Sequence, residues 1–167
     1  TNIAIHACNA LLIFYLCRQL RMLVGNVSKP SQSDNEFAFI AATFWALSPI
    51  LASTSLILVQ RMTGLSALFV LLGLWVYLHC YFHFKHHPRQ QLAVQTLILG
   101  VATFLSALSK ANGVLLPSLA FAVEVALLRN AVAAKQYRNI RQGVLGISVA
   151  VFLVYLSPLA RPWFEVN

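Results

Sequence analysis

Long apolar runs separated by short polar or basic breaks dominate the chain. Six can be read: Thr1 to about Leu20, a run that starts at Phe37 and meets Pro49, about Gly64 to Phe82, Leu92 to Leu108, Val114 to Leu128, and Gly143 to Leu159. A helix needs about 20 residues to cross roughly 30 Å of hydrocarbon, so several of these runs only just span and draw on flanking residues or local thinning. The pattern predicts an all-α fold, a polytopic transmembrane helical bundle of about six apolar segments. Residues 1–167 would form part of one transmembrane domain. The chain opens inside an apolar run with neither an initiator Met nor the charged start of a signal peptide, which reads as an internal piece of a larger protein.

The second run is unlike the others. Proline removes a backbone donor and clashes with the preceding turn, so Pro49 should break a helix continuing from Phe37 towards Val59. Ala52-Ser53-Thr54-Ser55 follows, with hydroxyls that can satisfy freed backbone groups, and then Gln60-Arg61. Irregular backbone at membrane depth is tolerated only where protein or a water-filled cavity covers it. The stretch from Ser48 to Arg61 is therefore the first candidate for a cavity wall.

Composition removes the soluble alternative, because 59% of the residues are hydrophobic and only 10% charged, against about 25% charged in soluble domains. A formal net charge of +8 is in the range of nucleic-acid-binding proteins, but the 12 basic residues are scattered between the apolar runs instead of clustering on one face. No nucleic-acid partner is expected. The excess reads instead as membrane topology.

Alternating six spans places Arg18, Arg21, Lys29, Lys85, Arg89, Arg129, Lys135, Arg138 and Arg141 on one side and Arg61, Lys110 and Arg161 on the other. The side with nine of the 12 cations is cytoplasmic by the positive-inside rule. Each of the three outer cations stands alone at or near the end of a span. A cation bordering hydrocarbon snorkels to the interface or takes a partner. Acids are few: Asp34 and Glu36 fall in a cytoplasmic loop, Glu124 in the inner half of the fifth span, and only Glu165 on the outer side. An external anion such as phosphate is the alternative partner.

A second polar group, Asn2, His6 and Asn9, has spacings of four and three that stack all three on one helix face. Such a stripe faces a partner helix or a cavity in preference to lipid. His79, His83, His86 and His87 form a third cluster, and His79 and His83 have the spacing at which two imidazoles can share a metal. Tyr77, Tyr81, Phe82 and Phe84 surround them, so the expected role is interfacial anchoring. Cys8, Cys17 and Cys80 show no paired spacing and are expected to be small core residues.

Between the spans, Gly25 to Glu36 is polar, rich in turn formers and expected as a loop. Its Asn26-Val27-Ser28 matches a glycosylation acceptor pattern that a cytoplasmic placement leaves unused. Asn130 to Gln142 is basic and could lie on an anionic inner leaflet. The sequence has no internal repeat, Gly-rich phosphate loop, nucleophile elbow or metalloprotease signature. Nor do its outer loops carry the paired carboxylates of conventional acid and base catalysis.

The pieces TNIAIHACNALLIFYL, VQRMTGLSALF and LSKANGVLLP together resemble multi-spanning GT-C glycosyltransferases of the kind fused to tetratricopeptide repeats. That family includes bacterial membrane enzymes and the eukaryotic transmembrane O-mannosyltransferases. The likeness covers about residues 1–128. Asn2 and His6 match an Asn and His pair of the family, Ser48-Pro49 stands where the family often has His-Pro, and Ser109-Lys110-Ala111 where it often has Ser-Lys-Glu.

The resemblance implies transfer of a sugar from a polyprenyl-phosphate donor to a protein or glycan acceptor on the outer side of a bacterial inner membrane or an ER membrane. It also implies a catalytic acid in an outer loop ahead of Thr1 and no catalytic carboxylate within this chain. Arg61, Lys110 and Arg161 are the expected holders of the donor phosphate, and Asn2, His6, Gln60 and Asn112 the groups that orient hydroxyls. A divalent cation is compatible with such a site and not required. Two other classes fit parts of the pattern: a non-catalytic scaffold, transporter or flippase module for an anionic lipid, and a metal or haem subunit built on the histidines.

Overall fold

The computed structural model describes residues 2–25, 27, 29–48, 61–83, 88–110, 113, 115–128, 142, 143 and 146. Among these the chain is helical, with no strand. Helix α1 spans Asn2–Val24, α2 Gln32–Ala46, α3 Arg61–His83, α4 Pro88–Ser109 and α5 Leu116–Val123, and a π-helical turn continues α5 over Glu124–Leu128.

Among the described residues three helices are long and apolar enough to cross a membrane: α1, α3 and, from Gln90 to Ser109, α4. At 1.5 Å per residue their 22 or 23 residues extend about 33–35 Å, slightly more than a hydrocarbon core. The 15 residues of α2 extend only about 22 Å. Helix α2 ends at Ala46, and Leu47 and Ser48 close a turn through N–H bonds to the Thr43 and Trp45 carbonyls at 2.9 and 3.2 Å. The break thus falls just ahead of Pro49, as a residue preceding proline avoids helical backbone. Residues 49–60, most of the expected cavity wall, and the sixth run apart from Gly143 and Gly146 lie outside the described residues, as does Glu165.

Helix ends differ from the expected runs. Gly25 to Glu36 is not all loop, because α2 starts at Gln32 and takes Asp34 and Glu36 into its first turns. Ser31 caps it: its hydroxyl accepts from the Asp34 N–H at 3.3 Å and the Asp34 carboxylate accepts from the Ser31 N–H at 3.0 Å. This reciprocal box stabilises a polar first turn that carries no hydrophobic signal. Helix α4 likewise begins ahead of its apolar run, at Pro88, a residue suited to a first turn where its missing N–H costs nothing.

Helix α1 packs against α2 and α3, α3 also against α4, and α5 against both α3 and α4, while the π turn reaches α1. Leu16, Leu74, Tyr77, Leu78, Tyr81, Leu99, Leu116 and Ala120 form the buried core. At Gly73 an added Cβ would lie 2.6 Å from the Ala102 Cβ and 2.9 Å from Leu116 Cδ2. Glycine there is what lets α3, α4 and α5 meet.

The distribution of polarity runs opposite to that of a soluble domain. Asn9, Gln19, Ser66, Gln91, Gln95, Ser106 and Glu124 are buried, whereas Phe39, Ile40, Phe44, Leu97, Phe104 and Leu108 are exposed. Outward apolar and inward polar side chains are what a lipid solvent selects. Cys8 is exposed, Cys17 half-buried and Cys80 buried, so Cys8 departs from the expected core placement. It follows the exposed face of α1, where a small apolar side chain is also at home in lipid.

Candidate functional site

Four helix ends meet at one end of the bundle: the starts of α1 and α3 and the finishes of α2 and α4. Helices α1 and α3 run parallel, with α2 and α4 antiparallel to them, as their bonds require. The Arg61 Nε–H donates to Asn2 Oδ1 at 3.0 Å, and the Lys110 ammonium donates to Thr63 Oγ1 at 2.8 Å. Asn9 Nδ2 donates to the Gly64 carbonyl at 3.1 Å. His6 Nε2 lies 3.0 Å from the Ala46 carbonyl, and its ring stacks on Trp45 at 4.9 Å between centroids.

The first turn of α3 is the hub of this arrangement. Helix α1 grips it through Asn2 and Asn9, and α4 through Lys110. The α1 approach is close, since an added Cβ at Gly64 would sit 3.3 Å from Ile5. One turn deeper, Ser106 Oγ lies 2.9 Å from Ser66 Oγ and 3.0 Å from the Ser66 carbonyl, both buried. Gly113 donates to the Lys110 carbonyl at 2.9 Å, and any side chain there would overlap Ser106. Gly113 is thus packed against the Ser66–Ser106 contact.

Arg61, Lys110, Asn2 and His6 therefore share one end of the bundle, together with Asn9. Asn2 and Asn9 turn towards α3 and His6 towards α2, so the polar stripe of α1 serves two neighbours. Gln60, Asn112 and Arg161 lie outside the described residues. Thr63 belongs to the site but was not legible as a ligand of Lys110, because two residues 47 apart reveal nothing of their pairing until the helices are placed side by side.

The electrostatics are unusual for a pair of cations. Arg61 and Lys110 are bonded to an amide oxygen and a hydroxyl, both neutral, and α3 has no acid in its first turn to balance its positive dipole end. The one ion pair among the described residues, Arg21 with Asp34 at 3.1 Å, is at the opposite end. Asp34 stands ahead of the apolar part of α2. The Ser31 backbone N–H and hydroxyl, and after them the Arg21 guanidinium, hold its carboxyl below the ordinary aspartate value. Arg21 also stacks over Phe37 at 5.2 Å.

Two further polar features lie away from this end. Glu124 is fully buried and accepts from the Tyr77 hydroxyl at 3.1 Å, while Gln95 Nε2 donates to the Tyr77 carbonyl at 3.0 Å. On α3, Trp75, His79 and His83 stack in sequence at 5.6 and 6.4 Å. Among the described residues no group of three His, Cys, Asp or Glu side chains could hold a metal. His86 and His87 lie outside them. No family model, curated protein or solved structure matches this chain, so what the Arg61 end can do is argued from its chemistry.

Proposed function

We propose that the chain is part of a multi-spanning membrane glycosyltransferase that takes a sugar from a polyprenyl-phosphate donor and passes it to a protein or glycan acceptor on the outer, periplasmic or luminal side. The observation that carries this reading is the meeting of Arg61 and Lys110 on one helix turn, each bonded to a neutral oxygen. Two cations with no carboxylate between them among the described residues, at the end of an apolar bundle, suit a phosphate at the level of lipid headgroups.

In the proposed reaction the acceptor oxygen bonds to the anomeric carbon as the bond from that carbon to the phosphate oxygen breaks. The acceptor proton passes to a base, and the polyprenyl phosphate departs with one more negative charge. Arg61 and Lys110 bind the phosphate and stabilise the charge that develops on it. Asn2 and His6, with Gln60 and Asn112, orient donor or acceptor hydroxyls, and Arg161 adds a third cation. The base is assigned to a part of the protein outside the described residues. A divalent cation could join the donor phosphate without altering these roles.

The test is a transfer assay with the full-length protein and a lipid-linked labelled sugar. Transfer that depends on Arg61 and Lys110 supports the reading. Binding and translocation of the donor without any transfer would replace it with an anionic-lipid transporter or scaffold, whose need for outer cations is the same.

A further inference from the structure

Thr63 is placed to do more than hold Lys110. It is the third residue of α3 and exposed, and its oxygen accepts from the Lys110 ammonium at 2.8 Å. A hydroxyl that accepts one bond still has its own proton to donate. Lys110 has three N–H donors and spends one on Thr63, and Arg61 has five and spends its Nε–H on Asn2. Among the described residues, what remains open is the hydroxyl proton, two ammonium protons and the terminal nitrogens of the guanidinium. All of these are donors. They gather around the turn of α3 that carries Arg61 and Thr63.

We propose that Thr63 is a binding residue of the phosphate site, its oxygen setting the Lys110 ammonium and its proton bonding a phosphoryl oxygen of the ligand. This rests on the reading of Arg61 and Lys110 as a phosphate site and adds a residue that the cations alone do not define. The ligand class is a phosphate monoester or diester, carried by a lipid or free in solution. A neutral hydroxyl beside two cations tightens geometry without adding charge, so its contribution is specific to the hydroxyl and insensitive to side-chain size.

The experiment compares wild-type full-length protein with Thr63→Val, Thr63→Ser and Lys110→Ala. Each is reconstituted in nanodiscs of neutral lipid with and without polyprenyl monophosphate, and inorganic phosphate is titrated as a separate arm. Val is nearly isosteric with Thr at this exposed position, and equal thermal midpoints verify that the fold is kept. Thr63→Val is expected to weaken binding about tenfold and Thr63→Ser to restore it to within about twofold, a net difference of about 1.4 kcal/mol. Binding in the lipid arm alone identifies a lipid headgroup, and binding in both arms a phosphate site indifferent to the tail. If Lys110→Ala weakens binding and Thr63→Val does not, the assignment of Thr63 is overturned while the cation site stands. If Lys110→Ala also leaves binding unchanged, the phosphate site itself is overturned.

Discussion

Arg61 and Asn2 begin two different helices, and the guanidinium Nε–H of one donates to the side-chain oxygen of the other at 3.0 Å. That contact ties the start of α3 to the start of α1. Replacing Arg61 or Lys110 separately by Ala is expected to reduce sugar transfer by about 10²–10³-fold, the range for losing one preorganised charge stabiliser. Membrane expression and detergent-extracted yield should stay at wild-type levels. Turnover unchanged in both variants would remove these residues from the donor site.

Asn2→Ala should act more mildly than either, since it removes the tether and leaves the cation. A fall of about tenfold in transfer, expressed mainly as a raised KM for the donor, is the expected outcome. A loss as deep as that of Arg61→Ala, and carried by kcat, would mean that the hydroxyl Asn2 orients is the reacting one.

Gly73 sets the separation of three helices. Gly73→Ala should lower stability by about 1–3 kcal/mol, the usual cost of overpacking, because the new methyl group meets Ala102 at 2.6 Å and Leu116 at 2.9 Å. Adding Ala102→Gly should recover part of the loss, since Leu116 can rotate while the Ala102 methyl cannot. Thermal midpoints in one fixed detergent measure both. A double variant no more stable than Gly73→Ala would show that the Ala102 contact is not the limiting one.

Tyr77→Phe removes one donor from the fully buried carboxyl of Glu124. A stability loss of about 1–3 kcal/mol is expected for weakening the satisfaction of a buried polar group. An unchanged midpoint would show that the bond between α3 and the π turn contributes little.

The opposite end of the bundle carries the acid sensitivity. The carboxyl of Asp34 is held below its ordinary value of 3.8, first by the Ser31 backbone N–H, then by the Ser31 hydroxyl and Arg21. A lowered folded-state value means that the ionised form is favoured in the folded protein. Its stabilisation is fully present above the unfolded value and is lost as pH falls through the folded one. Thermal midpoints of wild type and Asp34→Asn should therefore differ at neutral pH and converge below pH 3.8. A gap that stays constant from neutral pH through the acid range would assign the effect to the shape of the cap and not to its charge.

How much of this was legible in the sequence depended on the kind of feature. The runs beginning at Thr1, Gly64 and Leu92 located α1, α3 and α4 because burial in lipid needs nothing more than a long apolar stretch. Helix ends were misplaced where residues without an apolar signal extend a helix, as Ser31 and Asp34 do for α2 and the Pro88 to Gln91 start does for α4. The spacing of Asn2, His6 and Asn9 announced a shared face but not that it would divide between α2 and α3. Charge counting put Arg61 and Lys110 on one side of the membrane, and the fold brings the Lys110 ammonium to Thr63, on the same turn of α3 as Arg61. Thr63, Gly113 and the pairing of Tyr77 with Glu124 had no local signal, since each depends on which helices become neighbours.

Neutral partners for both cations have a consequence for how the site fills. A ligand anion arriving at Arg61 and Lys110 takes the donors they leave open and keeps the bonds to Asn2 and Thr63 in place, and among the described residues no carboxylate has to be expelled to admit it. Occupancy then answers to ionic strength, with every small anion in the medium a competitor. Selectivity for one phosphate over those competitors must come from the spacing of the donors and the depth at which the bilayer delivers the headgroup.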